Sequence, residues 1–281
     1  MENINNQLVS IGLPVFNGHP DVEDCINSIV NQTYKNIEII ISDNCSTDLT
    51  SDYCYKKSLE DKRIKFFRQN QNIGGDKNFE FVFKKSTGDF FMWISHDDII
   101  SHNYIKENIT VLEKNRDCVY SSGINYFKGK DFKDTRINTF NIKGDSYLRF
   151  KTFLNYCWHS HGCFYSLIKK KSLDDFNFYK SSVIGIDWII NMHLLSKGNY
   201  YRSLSSHIII SSSGTSSSKK FFFPDKKIRF KNFFPLKEFN SFFYKKISLQ
   251  KFKIINKIFL LYNLYIVNIN MTYKILKKIF K

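Results

Sequence analysis

Along the first hundred residues the spacing of apolar and polar positions changes period block by block. Leu8–Phe16 (LVSIGLPVF) is a continuous apolar, β-branched run ending on Asn17-Gly18, the pattern of a strand buried on both faces. From Asp21 the apolar positions Val22, Cys25, Ile26, Ile29 and Val30 recur three and four apart, which predicts a helix with Asp21 at its N-cap. A short buried strand follows at Ile37–Ser42, then the polar turn Asp43-Asn44-Cys45-Ser46-Thr47-Asp48 and a second helical stretch to about Leu59. The unit then repeats. Arg63–Phe67 predicts a strand, Asn72-Ile73-Gly74-Gly75 a turn, Asn78–Lys85 a helix with Phe79, Val82 and Phe83 inward, and Asp89–Ile94 a fourth strand. Strands alternating with helices at this spacing define an α/β fold with a mostly parallel sheet and right-handed crossovers. In such sheets ligands collect at the carboxyl ends of the strands. Those ends carry Phe16-Asn17, Asp43-Asn44, Arg68 with Asn70 and Asn72, and Asp97-Asp98.

Beyond residue 100 the pattern is less regular. It predicts a helix over Asn103–Lys114, a strand near Cys118–Ser122 and a helix over Ile186–Leu195, and the serine-rich Ser203–Ser218 reads as a loop or linker. Composition sharpens the boundary placed there. The chain of 281 residues carries a net +16, yet residues 219–281 hold sixteen basic and two acidic side chains, a net +14, which leaves a nearly neutral body over residues 1–218. With 42% hydrophobic residues the body can bury a sizeable core, which excludes disorder and a small disulfide scaffold. The six cysteines form no CxxC pair, so reduced thiols are expected. Met1–Gln7 is polar with no apolar stretch behind a basic start, so the expected location is the cytoplasm. The longest uncharged run, Ile258–Tyr273, is broken by Asn263, Asn268 and Asn270 and is shorter than a membrane span requires.

Phosphate-binding glycine motifs are missing: no GxGxxG follows the first strand and no GxxxxGK[ST] occurs anywhere, which disfavours a Rossmann dehydrogenase and a P-loop NTPase. The strongest chemical signal is Ser95-His96-Asp97-Asp98, directly after the apolar Phe90–Ile94. Two adjacent carboxylates at the mouth of a buried strand repel each other and lose solvation, and a hard divalent cation with oxygen ligands relieves both effects. A helix cap or a turn is the alternative reading of the same pair.

Several segments in one order and spacing carry a resemblance. Val9–Asn17, Ser28–Glu38 (SIVNQTYKNIE), Ile41–Asp48 (ISDNCSTD), Asn72-Ile73-Gly74 with Asn78, and Gly88–Trp93 leading into the acidic pair closely resemble the opening of the inverting glycosyltransferases of family 2, which have the GT-A fold. The similarity is dense from about residue 8 to 105, thins up to about 215, and does not reach the basic extension. It implies a Rossmann-like, mostly parallel mixed sheet flanked by helices over residues 1–218, followed by a mainly helical extension over 219–281. It also implies a nucleotide-sugar pocket at Pro14, Phe16, Asn17, Asp43, Asn44, Asn72, Lys77 and His96, and a Mn²⁺ or Mg²⁺ site at Asp97 with Asp98 beside it. The family's acidic motif is commonly Asp-x-Asp-Asp, and this chain departs from it with Ser95 at the first position.

Sugar transfer from a nucleotide diphosphate needs a base for the acceptor hydroxyl. The expected base is Asp187 in Ile184-Gly185-Ile186-Asp187-Trp188, a lone acid in an apolar stretch whose Gly-x-Asp context is similar to the family's. An N-cap for the following helix is the alternative. Cys157-Trp158-His159-Ser160-His161-Gly162-Cys163 reads as a strand lining the acceptor side, with His159, His161 and Trp188 as acceptor or diphosphate contacts. Its period-two spacing argues against structural zinc. The extension interleaves Lys with Phe, Tyr and Ile, a pattern open to a helix packed on the body, to single-stranded nucleic acid, or to an anionic membrane surface. The membrane is the preferred partner and nucleic acid is not expected. Taken together, the sequence predicts a metal-dependent inverting transferase that uses a nucleotide-sugar donor, with a UDP-sugar expected. Its acceptor is expected to be a bacterial surface glycan, lipid-linked or free, at the inner face of the cell membrane. A non-catalytic nucleotide-sugar-binding scaffold is the alternative.

Overall fold

The computed structural model describes residues 7–129, 140–159, 161–178, 184–211 and 236–279. The opening half follows the predicted alternation: β1 (Val9–Val15), α1 (Asp21–Val30), β2 (Ile37–Asp43), α2 (Thr50–Glu60), β3 (Ile64–Arg68), α3 (Gly75–Lys85) and β4 (Phe90–Trp93). Then come β5 (Ile99–Ile100), α4 (Tyr104–Lys114), β6 (Cys118–Phe127), α5 (Ser146–Tyr156), the short α6 (His161–Phe164), β7 (Leu167–Lys169), α7 (Ile186–Lys197), β8 (Asn199–Ile210), α8 (Lys237–Ser248) and α9 (Ile254–Ile279). One mixed sheet runs in the order β3-β2-β1-β4-β7-β6-β8-β5. The first four of these strands are parallel, β7 is antiparallel to both β4 and β6, β6 and β8 are parallel, and β5 closes the edge antiparallel to β8.

Every residue of β1, β2 and β4 is buried, which is why these strands read as continuous apolar runs instead of alternating ones. One face of the sheet is covered by α1 and α4, the other by α3, α5, α7 and the two C-terminal helices. Helix α3 comes so close to β1 that a Cβ on Gly12 would lie 2.7 Å from a Val82 methyl carbon.

The structure differs from the pattern in several places. Asp21 is the first residue of α1, not its cap; with Glu23 and Asp24 it places three acids in the first turn, where the helix dipole favours them. The segment Cys157–Cys163 is not a strand: Cys157–His159 forms a 3-10 turn and α6 follows. Phe150, Phe153, Leu154 and Cys157 are buried at helical spacing, and that period, running out of α5, outweighs the period-two spacing of the Cys and His residues. The first half of the serine-rich stretch, Ser203–Ile210, belongs to β8 and not to a loop. Small residues explain it. A Cβ on Gly123 of β6 would lie 2.6 Å from the Ser206 carbonyl oxygen, so the two strands approach where neither has bulk, beside a register shift between Ser122 and Ile124. The expected boundary after Ser218 lies outside the described residues.

The basic extension is helical where it is described, and it packs on the body. Phe239 and Phe243 of α8 and Leu260, Leu264, Val267, Met271 and Ile275 of α9 share one core with Phe150 of α5 and Trp188 of α7. Asn240 and Asn268 tie α8 to α9 through a reciprocal pair of amide hydrogen bonds of 2.9 and 3.0 Å.

Candidate functional site

The parallel order β3-β2-β1-β4 sets the carboxyl ends of four strands side by side, and the loops leaving them form one rim. Asn17 and Cys45 both adopt left-handed backbone conformations (φ 48° and 64°), so the chain turns sharply as it leaves β1 and β2. The two loops are fastened to each other. The Asn17 N–H donates to Ser46 Oγ at 2.9 Å, its Oδ1 accepts from the Thr47 N–H at 2.9 Å, and the Gly18 N–H donates to Thr50 Oγ1 at 2.8 Å. Asp43 is fully buried, accepts from the Ser46 N–H, and faces Arg68 Nε at 3.5 Å. Asn44 reaches the loop before α3: its Oδ1 accepts from the Ile73 N–H at 2.8 Å and its Nδ2 donates to Asn72 Oδ1 at 3.0 Å. Pro14 is buried within β1, Phe16 is exposed at its end, and Lys77 is exposed in the first turn of α3.

The acidic segment lies at the end of β4, beside this rim. A Cβ on Gly18 would lie 2.4 Å from the His96 ring, so that imidazole rests on the loop after β1. Ser95 Oγ donates to Asp97 Oδ1 at 2.6 Å. Asp98 is buried; its Oδ1 accepts from the Ser211 N–H at 2.9 Å, and its buried Oδ2 has no hydrogen-bond partner. Burial, opposed by the Ser211 hydrogen bond and aided by the charge of Asp97, pushes the Asp98 carboxyl up to about 7.

Asp187 lies in the first turn of α7. Gly185, in a left-handed conformation (φ 84°), occupies the N-cap position, so the capping alternative for Asp187 does not apply. Burial raises the Tyr165 phenol well above the ordinary tyrosine range, and the charges of Asp98, Asp97 and Asp187 add to the effect. Trp188, expected at the acceptor side, is buried, with its ring edge-on to Trp158 at 5.0 Å and to Phe239 at 5.7 Å. Its ring belongs to the core shared by α5, α7, α8 and α9. The side chains of His159 and His161 lie outside the described residues.

No group of three or more His, Cys, Asp or Glu side chains that could hold a metal ion is found among the described residues. Two adjacent carboxylates with one unpartnered buried oxygen still fit a hard divalent cation of the kind that completes its shell with substrate phosphates. The Arg68–Asp43 pair, the Ser211 N–H and Tyr165 were not assigned from the sequence. Tyr165 carries no local signal: it lies just before the three-residue β7, which inserts antiparallel between β4 and β6.

The fold is of the GT-A class. It is similar to Staphylococcus aureus TarS residues 1–349 solved in complex with UDP (TM-score 0.66, 16% identity, 91% of this chain and 70% of that one). It is also similar to the mannosyltransferase PcManGT of Pyrobaculum calidifontis in complex with GDP-Man and Mn²⁺ (TM-score 0.58, 11% identity, 96% and 87%). The chain belongs to Glycosyl transferase family 2, whose sequence profile matches residues 10–176. Relatives include an uncharacterized glycosyltransferase of Rickettsia conorii, 38% identical over 123 residues (43% of this chain, 20% of the relative). Glycosyltransferase GlyG of Streptococcus pneumoniae is 30% identical over 122 residues, 43% of this chain and 40% of its own. The chain therefore matches about a fifth to two-fifths of the length of these relatives.

Proposed function

We propose that the protein transfers a sugar, with inversion, from a nucleotide-diphosphate donor to a hydroxyl of a bacterial surface glycan. The observation that carries this reading is the acidic pair Asp97-Asp98 at the end of β4, beside a rim built from the ends of four parallel strands. UDP is the favoured nucleotide, because TarS, which shares the fold, was solved with it. Asn17, Asp43, Asn44 and Asn72 shape the base and ribose pocket, with Phe16 and Lys77 at its mouth. Asp97, with Asp98 as second acid, would hold Mn²⁺ or Mg²⁺. Bound there, such an ion would supply Lewis-acid stabilisation of the charge that builds on the departing diphosphate.

Asp187 accepts the proton of the acceptor hydroxyl while that oxygen attacks the anomeric carbon from the face opposite the leaving group. The Tyr165 phenol, raised well above the ordinary tyrosine range by burial, holds its own proton. Replacing Asp97 by Asn is expected to abolish metal-dependent release of nucleotide from a donor panel. The Asp187→Asn variant should bind UDP normally yet transfer at least about a hundredfold more slowly, the usual loss for a removed general base. A fully active Asp187→Asn removes the base assignment, and an Asp97→Asn with unchanged metal dependence removes the metal site.

One observation favours a second reading, a nucleotide-sugar-binding scaffold without turnover: Ser95 stands at the first acidic position and its hydroxyl occupies Asp97 Oδ1. Calorimetry with UDP separates the two, since metal-coupled binding without donor turnover supports the scaffold. The acceptor is placed at the cytoplasmic face of the membrane on the strength of the +14 carried by residues 219–281.

A further inference from the structure

Helix α9 has two opposite apolar faces, and the body uses only one. Leu260, Leu264, Val267, Met271 and Ile275 are buried against the body. On the opposite side Ile255, Phe259, Tyr262, Ile266, Ile269 and Tyr273 follow one another at steps of three and four residues, and their exposures range from 37 to 65%. No charged residue interrupts this stripe. Lys251 and Lys253 precede it and Lys277 follows it, while Lys257 lies three residues from the buried Leu260 and Lys274 packs on the body. Contiguous apolar surface of this size marks an interaction site.

Helix α9 is long and apolar enough by length and composition to cross a membrane. Its inner face, however, is committed to the body, and Asn268 is bonded to Asn240 of α8, so lipid cannot surround it while the protein stays folded. A second copy of the chain is disfavoured by charge, because face-to-face pairing brings two +14 segments together. An anionic bilayer offers both complements, hydrocarbon for the stripe and headgroup charge for the lysines that flank it.

We propose that the exposed stripe of α9 is a membrane-docking surface that lies in the plane of an anionic leaflet. The proposal deepens, and rests on, the membrane-facing acceptor proposed above. It also fixes an orientation. Lys274 Nζ sits 3.6 Å above the Trp158 ring, which packs on Trp188 next to Asp187. The carboxyl-terminal half of the docked helix therefore borders the base side of the cleft, where a glycan on a lipid carrier arrives.

The test uses the full chain and vesicles of phosphatidylcholine alone or with 30% phosphatidylglycerol by co-sedimentation, with the exposed pair Phe259→Glu and Ile266→Glu combined in one variant. Wild type is expected to partition onto the anionic vesicles, to be released by 0.5 M salt, and to bind neutral vesicles at least tenfold more weakly. The double variant should lose at least tenfold in anionic partition while keeping its melting temperature and its rate of donor hydrolysis. Unchanged partition of the variant overturns the proposal. So does wild-type association with itself that the variant abolishes, in the absence of vesicle binding, which assigns the stripe to a second copy. The two readings fail separately. Vesicle binding without any sugar transfer leaves the docking surface standing and removes the catalytic reading, whereas transfer to a soluble acceptor without vesicle binding does the reverse.

Discussion

Asn44 shows how much of the rim depends on single side chains. It is buried, and both polar atoms of its amide are spent on the loop before α3, one accepting from the Ile73 N–H and the other donating to Asn72. An Asn44→Ala variant strands these partners in a partly closed environment and should cost about 2 kcal/mol of stability, the usual penalty for orphaned buried polar groups. It should also weaken UDP binding more than tenfold, because the loop carrying Asn72 and Lys77 loses its attachment. Urea unfolding and calorimetry check the two effects, and a variant that loses stability but binds UDP normally detaches this loop from the pocket. Residues of this kind were legible in the sequence because they sit at the polar ends of buried strands, where little but function or turn chemistry explains an acid or an amide. The rim positions of Asp43, Asn17 and Asp97 were readable in that way. Tyr165 was not, since an aromatic before a short strand looks like core until the strand's place between β4 and β6 is known.

At the scale of elements, α7 makes the sharpest physical prediction. Eight consecutive residues, Trp188–Leu195, are buried, so this middle stretch of the helix is covered on all sides and has no solvent face. His193 lies in that run with Nε2 3.0 Å from the Ser172 carbonyl. Burial, then the positive charge of Lys246 on α8, holds its imidazole down to about 4, although the Asp175 carboxylate pulls the other way. The unfolded chain titrates this group near 6.5, so between pH 6.5 and 4 it takes up protons that the folded chain refuses. Stability from this residue is complete above pH 6.5 and falls away as the pH drops through 4, by about 3 kcal/mol in all. Urea unfolding at pH 7 and pH 4.5 should show the loss in wild type, and a His193→Leu variant should flatten it. An equal loss in the variant assigns the acid sensitivity elsewhere. Helix α7 was visible in the sequence because its run is long. The two-residue β5 and the three-residue β7 were not, since so few positions carry no period. The serines of β8 hid a strand because small residues opposite Gly123 serve close strand approach and look like linker composition.

For the whole molecule, the charge map separates a +2 body from a +14 extension, while packing joins them. Five α9 side chains are buried in the core shared with α5 and α7. At roughly 1.5–3 kcal/mol for each fully buried apolar side chain, they contribute about 10 kcal/mol, comparable to the entire net stability of an ordinary domain. A cut after Gln250, ahead of α9, also removes Phe252, whose ring packs edge-on against Phe150 at 6.2 Å. A chain ending at Gln250 is therefore expected to aggregate, or to melt more than about 10 °C lower, instead of yielding a stable, soluble transferase body. Size-exclusion chromatography and thermal unfolding of residues 1–250 against the full chain decide it, and a monomer with an unchanged melting temperature overturns the shared core. The consequence reaches the membrane question. If the extension completes the core, truncation destroys the enzyme and says nothing about lipid, so only charge placed on the outer stripe of α9 separates where the protein works from whether it folds.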